Sequence, residues 1–532
     1  MRKALLFLPL LVLACKSPDK NVKVLSEDFR EFKVLDSEYL VKDQIFGDLL
    51  DDVVRFRESD NLKSLILEKS IPEIQEAIAS GQFSYRDLTL FYLKRIYTYD
   101  RENNKSLNSV IAINPNALKQ ADAADEYLAY VKRNGEDLAY YSIKGMPILL
   151  KDNINTEDMP TTAGAAVLLE NRTSQDAIIV TNLRQEGAVI LGKANLSEWA
   201  YYFCGDCPSG YSAVGGQTLN PYGRRTMDTG GSSSGSAVSV AANFAIAAIG
   251  TETSGSILSP ASQNSVVGYK PSKGTFSGSG IVPISSYLDT PGPMTKNVMD
   301  NAILAQALGA SYEVIEKYGA NTFETAGLKG VRFGVWTSFK ENPLYTQALL
   351  DIESSGAILI ELDDTRPQLN GFLKLLNADM KNDLPVYFAA QSHARFRGWD
   401  VAKVMEWNKR DALKSMPYGQ SLFKGIIEEP AISVGDFLKF KKNMTAKAQE
   451  YFYNLMEKHD LNGFVSINNY TAGAAAAAFF PAMTVSMGYN DQGQPYGLTF
   501  IAPNKEDKLL FDWAAAYEKM TRHRVMPQDY KD

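Results

Sequence analysis

The chain has 532 residues, 45% of them hydrophobic and 22% charged, which is the balance of a globular protein with room for one large domain or two to three ordinary ones. That composition excludes a disordered, collagen-like or disulfide-stapled chain. A formal charge of −7 argues against a nucleic-acid surface, which needs a basic stripe. The three histidines all stand at or beyond His393, which disfavours chemistry built on several imidazoles.

The chain begins Met1-Arg2-Lys3, followed by an uncharged apolar run from Ala4 to Ala14. Eleven residues are too few for a bilayer core, which needs about twenty in a helix, so residues 1–14 read as an export signal. The run closes Leu11-Val12-Leu13-Ala14-Cys15, which resembles a bacterial lipobox, with Leu13 bulkier than the residue usual there. The expectation is a lipid on Cys15, anchoring the protein to a membrane of the bacterial cell envelope and facing the periplasm or the exterior. No later apolar stretch is long enough to span. Residues 15–69 read as a tether with an accessory helix.

From Ser70 the pattern sharpens. Ser70 caps a helix with Pro72 in its first turn, and Ser84 caps a second that carries Leu88, Phe91, Tyr92 and Ile96 and ends near Asp100. A third runs from about Pro115 to Val131 and stops before Asn134-Gly135. The run 147–150 predicts a strand leading into Lys151, residues 178–185 a helix, and 188–191 a strand. Cys204-Gly205-Asp206-Cys207 lacks the strand-to-helix setting of a redox motif, and no histidine is near enough in sequence to complete a metal site. The pair is read as structural or idle. Residues 235–242 predict a small-residue helix and 244–249 a buried strand, with later strands at 331–336, 357–361, 464–467, 482–487 and 497–502. Strands alternating with helices imply an α/β layered fold.

Two clusters bear on chemistry. The first is Gly230-Gly231-Ser232-Ser233-Ser234-Gly235-Ser236, which exposes backbone N–H groups at a helix start. No Gly-Lys-Ser/Thr follows, so it is no phosphate loop, and by itself it reads as a flexible turn with capping serines. The second is Gly250-Thr251-Glu252-Thr253-Ser254-Gly255-Ser256-Ile257, directly after a buried strand. A serine set among such amides suits an oxyanion hole, worth roughly 3 to 4 kcal/mol per well-placed donor. With imidazole scarce, the candidate base is a lysine kept neutral by desolvation, and Lys151 stands at the tip of an apolar strand. Its bland alternative is a charge reaching solvent beyond the strand end.

Residues 145–153, the Gly/Ser loop and 250–257 together resemble, in order and spacing, the amidase signature family, with further likeness at 161–164, 192–198, 268–271, 289–294 and 495–498. The resemblance covers roughly residues 70 to 525. It implies a single large domain, a mixed β-sheet covered by helices on both faces. It also implies a triad in which Ser256 is the nucleophile, Ser232 the bridging residue after a cis peptide bond, and Lys151 the general base. Thr253, Ser254 and Gly255, with Ser256, would supply oxyanion donors, and neither metal nor organic cofactor is needed. The family usually has glycine at Ser234 and Ser254, where a glycine-like backbone angle would cost stability, and an arginine at Leu258. The bacterial peptide amidase branch is similar at Leu258 and over 215–222. By resemblance, residues 372–390 and 410–440 wall the acyl pocket, although Phe372, Leu376, Phe388 and Phe423 read by default as core. The function implied is hydrolysis of a carboxamide, such as a C-terminal peptide amide. An esterase with the same triad and a weakly catalytic binding lipoprotein are the alternatives, and the expected partner is a small or short-peptide amide.

Overall fold

The computed structural model of the protein describes residues 34–57, 60–311, 327–363, 367 and 369–531. The export signal and Cys15 lie outside the described residues. Short apolar runs separated by turns form the strands β1 (Val110–Ile113), β2 (Pro147–Lys151), β3 (Val189–Ala194), β4 (Tyr211–Ser212), β5 (Gly216–Gln217), β6 (Ala247–Glu252) and β7 (Val267–Lys270). They continue with β8 (Thr290–Thr295), β9 (Arg332–Trp336), β10 (Ile358–Leu362), β11 (Gly463–Ile467), β12 (Ala482–Tyr489) and β13 (Pro495–Ile501). Eleven of these make one sheet in the order β1-β3-β2-β6-β8-β7-β12-β13-β11-β9-β10, and β4 with β5 forms a separate hairpin.

The sheet is mixed. β2 runs parallel to both β3 and β6, while β8 is antiparallel to β6 and β7. Parallel pairing of β2 and β6 sets Leu150 opposite Ile249, so the carboxyl ends of the two strands, at Lys151 and Glu252, emerge at one edge. Every residue of β2, β3, β6 and β8 is buried, the signature of central strands covered on both faces. A single α/β domain with helices flanking the sheet results.

The local signals act as read from the sequence. Glu73 accepts hydrogen bonds from Ser70 N and Oγ at 2.8 Å, and Asp87 N donates to Ser84 Oγ at 3.0 Å, capping the helices Ile71–Ala79 and Tyr85–Tyr99. The third helix, Ala117–Asn134, ends with Gly135 left-handed at φ 66°. The strand expected at 244–249 is displaced to 247–252, because Asn243 ends the preceding helix in a left-handed turn at φ 55°. β1, the β4–β5 hairpin, β7 and β8 are additions. β8 reads Thr-Pro-Gly-Pro-Met-Thr, and two prolines argue against a central strand. Pro293 stands opposite Ile249 of β6, and its carbonyl accepts Asn301 Nδ2 at 3.1 Å.

The main core includes Val34, Phe46, Leu49, Val53 and Ile66, so residues from 34 onward pack on the sheet. A second apolar cluster lies beneath the helices between Phe372 and His459 and holds Trp199, Leu376, Phe388 and Phe423, with Phe372 packed against it. Cys204 and Cys207 sit in this cluster, joined as a disulfide with Cα atoms 5.7 Å apart.

Candidate active site

Lys151 ends β2 fully buried, with Ile148, Leu149 and Leu150 equally enclosed behind it. Its Nζ lies 2.7 Å from Ser232 Oγ, 2.9 Å from Thr251 Oγ1 and 3.1 Å from the Thr251 carbonyl. Burial lowers the amine to about 7, against the opposing pull of Asp289 and Glu252. A neutral amine has two N–H donors and one lone pair. The Thr251 carbonyl can only accept, and Thr251 Oγ1 can accept from both Lys151 and Asn153 Nδ2 (2.9 Å). That assignment spends both donors and leaves the lone pair for the hydroxyl proton of Ser232.

The serines of the first cluster divide their work. Ser232, fully buried, follows the Gly231–Ser232 peptide bond, which is cis. Ser233 Oγ ties the loop to β6 by donating to the Thr251 carbonyl at 3.1 Å and accepting Thr251 N at 3.2 Å. Ser234 Oγ donates to the Gly230 carbonyl at 2.7 Å and opens the helix Ser234–Ala241, with no left-handed angle to strain it. Gly235 packs so closely that a Cβ there would meet the Ser109 carbonyl oxygen at 2.4 Å.

Ser256 is 9% exposed and joins this loop through its carbonyl, which accepts Ser233 N at 3.0 Å. Its Oγ has no hydrogen-bond partner among the described residues, so the structure brings Lys151 and Ser232 into contact and holds Ser256 beside them by the backbone. Unformed links of this kind are common before substrate binds. The N–H groups of Thr253, Ser254, Gly255 and Ser256 have no acceptor among the described residues. Gly255 turns the loop at φ 90°, while Ser254 avoids the left-handed region, so serine costs nothing there.

Two carboxylates missed by sequence reasoning, buried Glu252 and half-buried Asp289, hold this turn. Glu252 Oε2 accepts Ile257 N at 2.7 Å and Leu258 N at 3.0 Å, fixing the chain just after Ser256. Asp289 accepts Thr253 Oγ1 at 2.6 Å and the N–H groups of Ile284 and Ser285, and burial raises it to about 6. The signal available was an acidic residue inside each small-residue motif. A cavity of about 350 Å³ opens beside them, lined by Asn153, Thr251, Thr253, Ile281, Asp383 and Tyr387 among others. Asn153 Oδ1 lacks a partner. Segment 372–390 contributes to this wall, but segment 410–440 does not: Phe423 and Ile426 turn inward to the second apolar cluster. No cluster of potential metal ligands occurs among the described residues.

A family model described as Amidase matches residues 87–370. The crystal structure of an amidase family protein from Bacillus anthracis str. Ames superimposes with a TM-score of 0.82 at 34% identity, covering 93% of this chain and 99% of that one. Native peptide amidase from Stenotrophomonas maltophilia gives 0.77 at 34% identity, over 87% and 99% of the two chains. A "Probable amidase" of Arabidopsis thaliana is 35% identical over 487 residues, 87% of this chain and 92% of its own. The fold and these relatives define the class: this is a hydrolase that acts on the C–N bond of amides. The chain belongs to the amidase signature family.

Proposed function

We propose that the protein hydrolyses carboxamides, C-terminal peptide amides in particular, with Ser256 as nucleophile, Ser232 as relay and Lys151 as base. The observation that carries this reading is the fully buried amine 2.7 Å from Ser232 Oγ, its pKa lowered by desolvation to about 7. As Ser256 Oγ attacks the carbonyl carbon, its proton passes to Ser232 Oγ and the Ser232 proton passes to the Lys151 lone pair. The carbonyl oxygen takes up negative charge facing the unspent N–H groups of 253–256. The proton on Lys151 returns through Ser232 to the leaving nitrogen, and the C–N bond breaks. Water then attacks the acyl-enzyme by the same relay and releases the acid.

The peptide-amide preference is supported by the likeness to the Stenotrophomonas maltophilia peptide amidase. Asn153, whose amide donates to Thr251 Oγ1, lines the cavity in which the substrate carboxamide would sit. Export and a lipid on Cys15 are supported by the sequence of residues 1–15. The direct test is ammonia release from amidated dipeptides: Ser256→Ala abolishes it and prevents labelling by a fluorophosphonate, and an unchanged rate refutes the assignment. Radiolabelled palmitate incorporation, lost in Cys15→Ala, tests the anchor.

A further inference from the structure

A cavity larger than the one beside Lys151 lies elsewhere in the fold. It measures about 680 Å³ and lies at the opposite end of β6 and β8, where Thr295 pairs with Ala247. Val266, Met299, Val485 and Ala515 give it an apolar wall, and Lys296, the residue after β8, lines it.

Lys296 is 4% exposed, yet among the described residues its ammonium makes a single hydrogen bond, to Asn243 Oδ1 at 3.0 Å. An ammonium has three donors, so two are unspent. Glu68 and Asp300 favour its charge through space, but the surrounding carboxylates give their hydrogen-bond acceptors to other groups. Glu68 receives Arg524 at 3.0 and 2.9 Å and Asn243 Nδ2 at 2.6 Å. Asp300 receives Ile71 N at 2.8 Å and Asn297 Nδ2 at 2.9 Å. Glu518 receives Val298 N, and burial raises it to about 8, which leaves it largely uncharged at neutral pH. Burial lowers Lys296 only to about 8, so it keeps its charge at pH 7. At the rim, the side chains of Lys519 and Arg522 make no ion pair among the described residues. A buried cation with unspent donors is costly, and an entering anion relieves that cost.

We propose that this cavity is a second ligand site, for a small carboxylate with an apolar body. The carboxylate oxygens accept the two unspent N–H groups of Lys296. The apolar body lies against Val266, Met299 and Val485, and Lys519 and Arg522 steer the anion in.

The test is titration calorimetry of phenylacetate and octanoate into the full chain at pH 7, carried by the Ser256→Ala variant so that hydrolysis is silent. Saturable binding of at least one acid with unit stoichiometry is expected. Lys296→Gln weakens it about tenfold or more. Met299→Trp, at a half-buried position, crowds the apolar wall and weakens binding as well. Should Lys296→Gln not fold, Met299→Trp decides alone. Absence of binding up to about 10 mM of both acids, or binding unchanged by Lys296→Gln or, failing that, by Met299→Trp, overturns the proposal. Either outcome leaves the catalytic reading standing, since no residue of this cavity belongs to that site.

Discussion

Replacing Lys151 with methionine separates the two consequences of burying an amine: the base of the proposed mechanism and a burden on stability. The amine titrates near 7 in the fold, against about 10.4 in an unfolded chain. Between those values the unfolded chain holds a proton that the folded one does not, so wild-type stability rises with pH. At about 1.36 kcal/mol per pKa unit, keeping Lys151 in the fold costs on the order of 4 kcal/mol at pH 7 and nothing above pH ~10.5. Below pH 7 the folded amine protonates too, and the cost levels off. Methionine has similar length and no charge. It breaks three polar contacts, but the Thr251 carbonyl keeps Ser233 Oγ and Thr251 Oγ1 keeps Asn153 Nδ2, so the loss adds a constant rather than a slope. Urea unfolding of both proteins at pH 7, 8, 9 and 10 reads the difference. Stability of the methionine variant relative to wild type should fall by roughly 1 kcal/mol per pH unit across the window. A gap that stays constant from pH 7 to 10 would refute a neutral, desolvated Lys151.

In the proposed mechanism the same titration governs the rate: kcat/KM should drop about tenfold per pH unit on the acid side of an apparent pKa near 7, and a profile flat to about pH 4 contradicts a lysine base. Glu252→Ala, which frees the N–H groups of Ile257 and Leu258, should cost about 2–4 kcal/mol in thermal unfolding and most of kcat, whereas Glu252→Gln, which keeps an acceptor, retains the fold. Gly255→Ala puts a Cβ 2.9 Å from Asn469 Nδ2 at φ 90°, so kcat should fall with KM little changed in steady-state assays. Leu149→Ala in β2 should lower stability by about 2–5 kcal/mol by chemical denaturation, without altering the pKa of the rate profile.

The helices at 71–79, 85–99 and 178–185 were legible because capping serines and apolar spacing are local signals, as was the run ending in Lys151. β8 was illegible because its prolines forbid a central strand by local rule, and only Asn301 shows how one is accommodated. Glu252 and Asp289 were passed over because a carboxylate in a motif looks solvated until its partners are seen. Segment 410–440 was assigned to the pocket by likeness, yet the amphipathic helix at 421–428 turns its apolar side to a different cluster.

The order of residues along the chain supplied the set of parts: which residues could be nucleophile, relay and base, and which turns would present them. Propensity, capping and apolar runs are short-range, so they survive in a linear reading. The protonation state of Lys151 was decided only in three dimensions, where parallel pairing of β2 with β6 buries the amine against Thr251 and the Gly/Ser loop. Desolvation sums over every atom around a charge, whatever its position in the chain, and so it belongs to the tertiary structure.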